Sequence, residues 1–168
     1  QNSLSNLQSP TDFPFKWEIG RHILVWGDAT NSDHLKMLGK SEMVLTDPPF
    51  DMEASKVVKS LIPLSEQFAV AGQGFQYIRL CNHPKLRYFF EHVGIRRQPR
   101  SLPHWRGPHI LHWNTAFLTR GDSHCFDRDL VDGYWPSATQ YEKCPQGGYA
   151  KPLKWAVDIL SACHAQTI

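Results

Sequence analysis

The chain has no run of about 18 apolar residues and no basic-apolar-small leader pattern, so neither a membrane-crossing helix nor a secretory signal is expected. Cysteine is sparse. Cys81, Cys125, Cys144 and Cys163 stand far apart without a C-x-x-C pair, the pattern of reduced thiols in a cytoplasmic protein. Cys125 beside His124 and Cys163 beside His164 lack the spacing of metal ligands, and no metal is expected. Close glycine pairs are limited to Gly72-x-Gly74 and Gly147-Gly148, and no internal repeat is visible. What remains is a chain of 168 residues, 41% hydrophobic, which fits one globular domain able to bury a core.

Residues 1–15, rich in Ser, Asn, Gln and Pro, are expected to form a flexible lead-in or interdomain linker, and the domain proper is expected over 16–168. Ile23–Trp26 suggests a strand, Asn31 or Ser32 a helix cap, and Met43–Thr46 a second strand. Ala54, Val57, Val58, Leu61 and Ile62 have helical spacing that Pro63 limits. Phe75–Leu80 is assigned as a strand and Pro84 to Gly94 as a helix; Ile110–Leu118 is expected as a strand and Pro152–Cys163 as the last helix. Such alternation predicts an α/β domain with a doubly wound sheet, whose ligands bind outside the carboxyl ends of its strands.

The net charge of +2 hides a strong local polarity. Between Lys85 and Arg120 lie seven cations, Lys85, Arg87, Arg96, Arg97, Arg100, Arg106 and Arg120, against the single acid Glu91. The segment therefore carries +6 and the rest of the chain −4. His104, Trp105, His109, His112 and Trp113 are interleaved with these cations, which suits a surface that tracks phosphates and stacks on bases. A DNA-contacting insert over about 85–120 is expected, with Arg96, Arg97, Arg100, His104, Trp105 and Arg106 as its candidate contacts.

Asp47-Pro48-Pro49-Phe50 follows directly on the apolar run Met43-Val44-Leu45-Thr46. Each proline fixes φ and disfavours helix at the residue before it, so Asp47 and Pro48 are held extended. Acceptors at the end of a strand can hold a planar amino group, and the aromatic face of Phe50 can stack on the ring that carries it. A pocket for a flipped nucleobase follows in outline.

This tetrapeptide resembles the catalytic motif of the amino-methyltransferases, which place a methyl group from S-adenosylmethionine on adenine N6 or cytosine N4. Trp17 to Thr30 resembles the stretch that opens the methylase domain of phage and prophage DNA methyltransferases. Gly147 to Leu153 resembles their Lys-Pro helix start, although Gly148-Tyr149-Ala150 replaces the usual centre of that motif. The three occur in the order of the permuted, β-class enzymes, and the resemblance spans residues 17–168. It implies a Rossmann-like methyltransferase sheet, S-adenosylmethionine as cofactor and double-stranded DNA as substrate. It also implies a place in DNA methylation or restriction-modification, in the cytoplasm of a bacterial or phage-infected cell. Asp47, Pro48, Pro49 and Phe50 would be catalytic, while Asp28, Lys151 and Pro152 would lie against the cofactor. Asp beside the two prolines favours adenine N6, since cytosine-N4 enzymes more often carry Ser there.

The family's glycine-rich cofactor turn, of the Asp-Pro-Phe-x-Gly-x-Gly kind, has no counterpart in the sequence. The sheet is therefore expected to be incomplete at its C-terminal end, to be completed by an omitted segment or another chain, and the chain alone is expected to be inactive. The alternative is a catalytically silent methyltransferase-like module that binds DNA or a protein.

Overall fold

The computed structural model describes residues 14–49, 52–72, 74–100, 110–122, 125–126, 138–141 and 153–164, with the backbone alone at 74–76, 95–100, 110–113 and 138–141. The elements are β1 (Phe15–Ile19), β2 (His22–Trp26), α1 (Ser32–Lys36), β3 (Met43–Thr46), α2 (Ala54–Leu61), a 3-10 turn (Ile62–Leu64), β4 (Gln67–Gly72), α3 (Gly74–Cys81), β5 (Arg87–Arg100), β6 (Ile110–Thr119), β7 (Ala138–Tyr141) and α4 (Leu153–Ser161).

β1 and β2 form a two-stranded antiparallel sheet of their own. Ile19 pairs with His22 across the two-residue loop Gly20-Arg21, and Gly20 has φ +60°. A positive φ at the first loop position is the sign pattern of a type II′ hairpin turn, where glycine carries no steric cost. The expected strand at Ile23–Trp26 is thus present, but in a hairpin rather than in the main sheet.

The main sheet has five strands in the order β3-β4-β6-β5-β7. β3 runs parallel to β4, β6 runs antiparallel to both of its neighbours, and β7 runs parallel to β5. Hence β3, β4, β5 and β7 all point the same way and share one carboxyl edge. The parallel step from β3 to β4 needs a crossover, supplied by α2 and the 3-10 turn that holds Pro63.

Side chains alternate across the sheet and build a core on each face. Phe68 and Val70 of β4 with Ala116 and Leu118 of β6 face Leu35 of α1, four residues of α2 and Leu80 of α3. Ala69 and Ala71 of β4 with Phe117 of β6 face Met43, Phe126 and α4 through Trp155 and Ile159. With helices on both faces, β4 is buried from Gln67 to Ala71.

Two assignments are corrected. Phe75–Leu80 lies in helix α3, because the strand position is taken by Gln67–Gly72, a run buried on both faces that shows no alternation. Pro84 to Gly94 is no helix. Pro84 occupies the second position of a turn closed by Leu86 N–H donating to the His83 carbonyl at 3.2 Å, and strand β5 starts at Arg87. Proline at the first position of a helix and proline inside a turn look alike in sequence. A register shift between Tyr88 and Phe90 then lets both Phe89 and Phe90 join the core under α4. Phe90 stacks on Phe117 at 4.2 Å between ring centres, and Phe126 meets Phe117 edge-on at 4.7 Å.

Candidate functional site

Asp47, Pro48 and Pro49 leave β3 at the carboxyl edge, with Asp47 and Pro49 exposed and Pro48 half-buried. The Pro49 carbonyl accepts from the Met52 N–H at 3.1 Å, which closes the turn leading into α2. Phe50 lies outside the described residues. At the start of α2, Glu53 accepts from Ser55 Oγ at 2.8 Å and from Arg79 Nη1 of α3 at 2.9 Å. These contacts draw its carboxyl below the usual range, the Ser55 hydrogen bond most, and tie the exit of the turn to α3.

Register places the neighbours of this turn. Thr46 pairs with Val70, Val70 with Ala116, and Ala116 with Glu91, one row across four strands. Two residues further toward the edge, Gly72 pairs with Asn114 and Asn114 with Val93. A half-buried polar cluster sits between these rows on the face covered by α3. The Tyr77 hydroxyl donates to Glu91 Oε2, and Asn114 Nδ2 donates to the same oxygen at 3.0 Å. Burial, then the bond to Glu91, pushes the Tyr77 hydroxyl far above its ordinary range, so it stays a donor at any working pH. The sequence offers no signal for this trio, since its members come from three elements, two of which are assigned there to the wrong type.

On the other face the α4 end of the edge is fixed by Trp155, whose Nε1 donates to the buried Thr115 Oγ1 at 2.9 Å. Just past the end of α4, Cys163 forms a bridge with Phe126, and Phe126 packs on Phe117. Since Thr115 precedes Phe117 on β6, which runs opposite to its neighbours, α4 starts at the carboxyl edge and runs away from it. Lys151 and Pro152, the two residues before α4, lie outside the described residues.

The segment expected as a basic insert supplies β5 and β6, which are integral strands of the sheet. The backbone places Arg96, Arg97 and Arg100 at the carboxyl end of β5, on the edge that carries Asp47. Arg96 stands five residues beyond the Thr46 row, about 16 Å at strand rise. His104, Trp105 and Arg106 lie outside the described residues.

Asp28 is held in a tight turn after β2. Its Oδ1 accepts from both the N–H and the hydroxyl of Thr30 at 2.7 Å, while its own N–H donates to His34 Nδ1 at 2.9 Å. The Thr30 hydroxyl first, and its N–H second, hold the Asp28 carboxyl below the usual aspartate range. Ser60 Oγ donates to the Ala29 carbonyl at 2.9 Å, which anchors this turn to the end of α2 remote from Asp47. Asn31 caps α1 through its Oδ1, as its position predicts.

No family model and no curated protein matches this chain. Among solved structures it is similar to the M1.HpyAVI–SAM complex, with TM-score 0.54 and 15% identity over 78% of this chain and 69% of that one. A second structure of M1.HpyAVI gives TM-score 0.50 and 12% identity, covering 78% and 67%. At such identities the likeness concerns the fold. The sheet is Rossmann-like, the mixed α/β fold that it shares with these structures. Its carboxyl edge gathers the Asp47 turn, the Tyr77–Glu91–Asn114 cluster, the start of α4 and the arginines of β5, where open α/β sheets bind their ligands. Among the described residues there is no cluster of three or more metal-ligating side chains, and no helix is long and apolar enough to cross a membrane.

Proposed function

We propose that this chain is the catalytic domain, or the larger part of it, of an S-adenosylmethionine-dependent DNA amino-methyltransferase of the permuted phage type, acting on adenine N6. The observation that carries the reading is the shared edge. The Asp47-Pro48 acceptors and the three arginines of β5, nearly 50 residues apart in sequence, emerge on the same side of the sheet. One accepts an amine and the other attracts phosphates, and a duplex with a flipped base needs both at once.

S-adenosylmethionine supplies an electrophilic methyl group when bound. The described residues fit its use, because Asp47 is exposed at the end of its strand and α4 opens on the same edge. By resemblance Lys151 and Pro152, just before α4, would hold the cofactor at this edge; the same resemblance assigns Asp28 to the cofactor, but its turn is anchored to the end of α2 remote from Asp47. The Asp47 carboxylate and the Pro48 carbonyl accept the two N–H bonds of the target amine. That arrangement keeps the nitrogen lone pair from delocalising fully into the ring and aims it out of the base plane. Catalysis then rests on fixed acceptors and proximity, without a strong general base.

The test is Asp47→Ala in the full-length protein, assayed by radiolabelled methyl transfer to duplex DNA. Transfer is expected to fall at least about a hundredfold, the scale for removing one preorganised polar group, while DNA affinity stays near wild type. Unchanged turnover removes Asp47 from the mechanism. A wild-type protein that binds DNA yet transfers no methyl group under any condition supports the silent-module alternative.

A further inference from the structure

Two of the thiols that stand apart in sequence meet in the fold. Cys125 Sγ and Cys163 Sγ are 3.0 Å apart, both half-buried under the α4 face of the sheet. The backbone around them is paired as well: Phe126 forms an antiparallel bridge with Cys163, and the His164 N–H donates to the Cys125 carbonyl at 2.6 Å. Both side chains are therefore carried by segments already fixed against each other. Disulfide bonding needs the sulfurs at about 2.05 Å, so closure asks for roughly 1 Å of approach between groups whose backbone is in place. Cys81 packs in the core on the opposite face, behind the sheet, and cannot compete for either partner.

We propose that Cys125 and Cys163 form an oxidisable dithiol, a modification site that a peroxide converts to an intrachain disulfide. One thiolate attacks a peroxide oxygen, breaking the O–O bond to give a sulfenic acid and the first water. The second thiol then attacks the sulfenic sulfur, forms the S–S bond and releases the second water. Two thiols lose two electrons and hydrogen peroxide gains them, so the balance is complete. The crosslink ties the far end of α4 to the Phe126 segment, which packs on Phe117 and Phe90. A helix that starts at the carboxyl edge is thereby pinned at its other end, and a loop of 37 residues between the two cysteines is closed. The proposal does not depend on the methyl-transfer reading.

The full chain is treated with hydrogen peroxide, remaining thiols are alkylated, and non-reducing proteolysis with mass spectrometry maps the linkages. The expected result is one linked peptide pair, Cys125 to Cys163, about 2 Da lighter than the sum of its two free-thiol peptides and reversed by dithiothreitol. The oxidised protein should also melt at a higher temperature than the reduced one, because the unfolded chain is constrained. Cys125→Ser and Cys163→Ser should each abolish the linkage, and the wild-type map stands even if a variant fails to fold. Linkage through Cys81 or Cys144, overoxidation of Cys125 or Cys163 without linkage, or four thiols still free overturns the proposal.

Discussion

His92 shows how burial and charge compete at a single residue. It is almost wholly buried on β5, opposite Thr115, under the helix that carries Asp158 and Lys154. Burial lowers its pKa most, Asp158 pulls the other way and Lys154 adds to the lowering. His83, held at the turn before β5, is shifted in the same direction by burial and by Lys85. Both rings bind a proton more readily in the unfolded chain than in the folded one, so unfolding takes up protons below the ordinary histidine range near 6.5. Stability should therefore be level above that range and should decline as pH falls through and below it. NMR titration of the His92 ring is the direct measurement. A midpoint at or above the ordinary range would refute the assignment, as would a denaturation free energy that rises on acidification from pH 7 to 5. The adjacent residues repeat the lesson in polar form, since Thr115 is fully buried and is reached by the Trp155 indole.

At the scale of elements, that one hydrogen bond fixes how α4 lies on the sheet. Trp155→Phe keeps most of the apolar packing against Met43, Ala69 and Phe117 but removes the donor to a buried hydroxyl. Stability should drop by about 1–3 kcal/mol, the cost of stranding a buried polar group. Urea denaturation would show this as a lower midpoint with an unchanged slope, whereas an unchanged midpoint would mean that Thr115 finds another partner. The helix itself was legible in the sequence, as were α2 and β3, because each has a clear period or a proline at its boundary. Asn31 likewise announced its cap. Two stretches were not legible, for different reasons. Gln67–Gly72 is buried on both faces and shows no alternation to reveal a strand, while the aromatics of Arg87–Val93 follow a proline that mimics a helix start. With Phe75–Leu80 expected as a strand and Pro84 to Gly94 as a helix, the Tyr77–Glu91–Asn114 cluster is invisible to pattern alone, since it depends on a helix and two strands meeting. The Asp47 turn survives such errors because its two prolines determine the backbone locally.

For the whole molecule the decisive property is where the charge lies relative to the sheet. The +6 of residues 85–120 is set against −4 elsewhere, and the sheet directs much of it to one edge. Two of the seven cations are neutralised nearby: Arg87 pairs with Asp122 at 2.9 Å and Arg120 with Glu66 at 3.1 Å, both at the opposite end of the β5–β6 pair. The excess is thus concentrated in the stretch from Arg96 to Arg106, whose strand portion rises beyond the Asp47 turn. If that stretch tracks phosphates, each phosphate it neutralises releases condensed counterions, and the logarithm of the DNA association constant falls linearly with the logarithm of salt concentration. Replacing Arg96 and Arg97 together by Ala should weaken binding across all duplex sequences and make that slope shallower by about one for every phosphate no longer neutralised. Replacing Arg87, which is held by Asp122, should leave the slope nearly unchanged. Fluorescence titration of a labelled duplex at two or more salt concentrations separates these cases. Equal slopes for wild type and the Arg96–Arg97 double variant, or the absence of binding at low salt, would show that the charged edge serves a partner other than DNA.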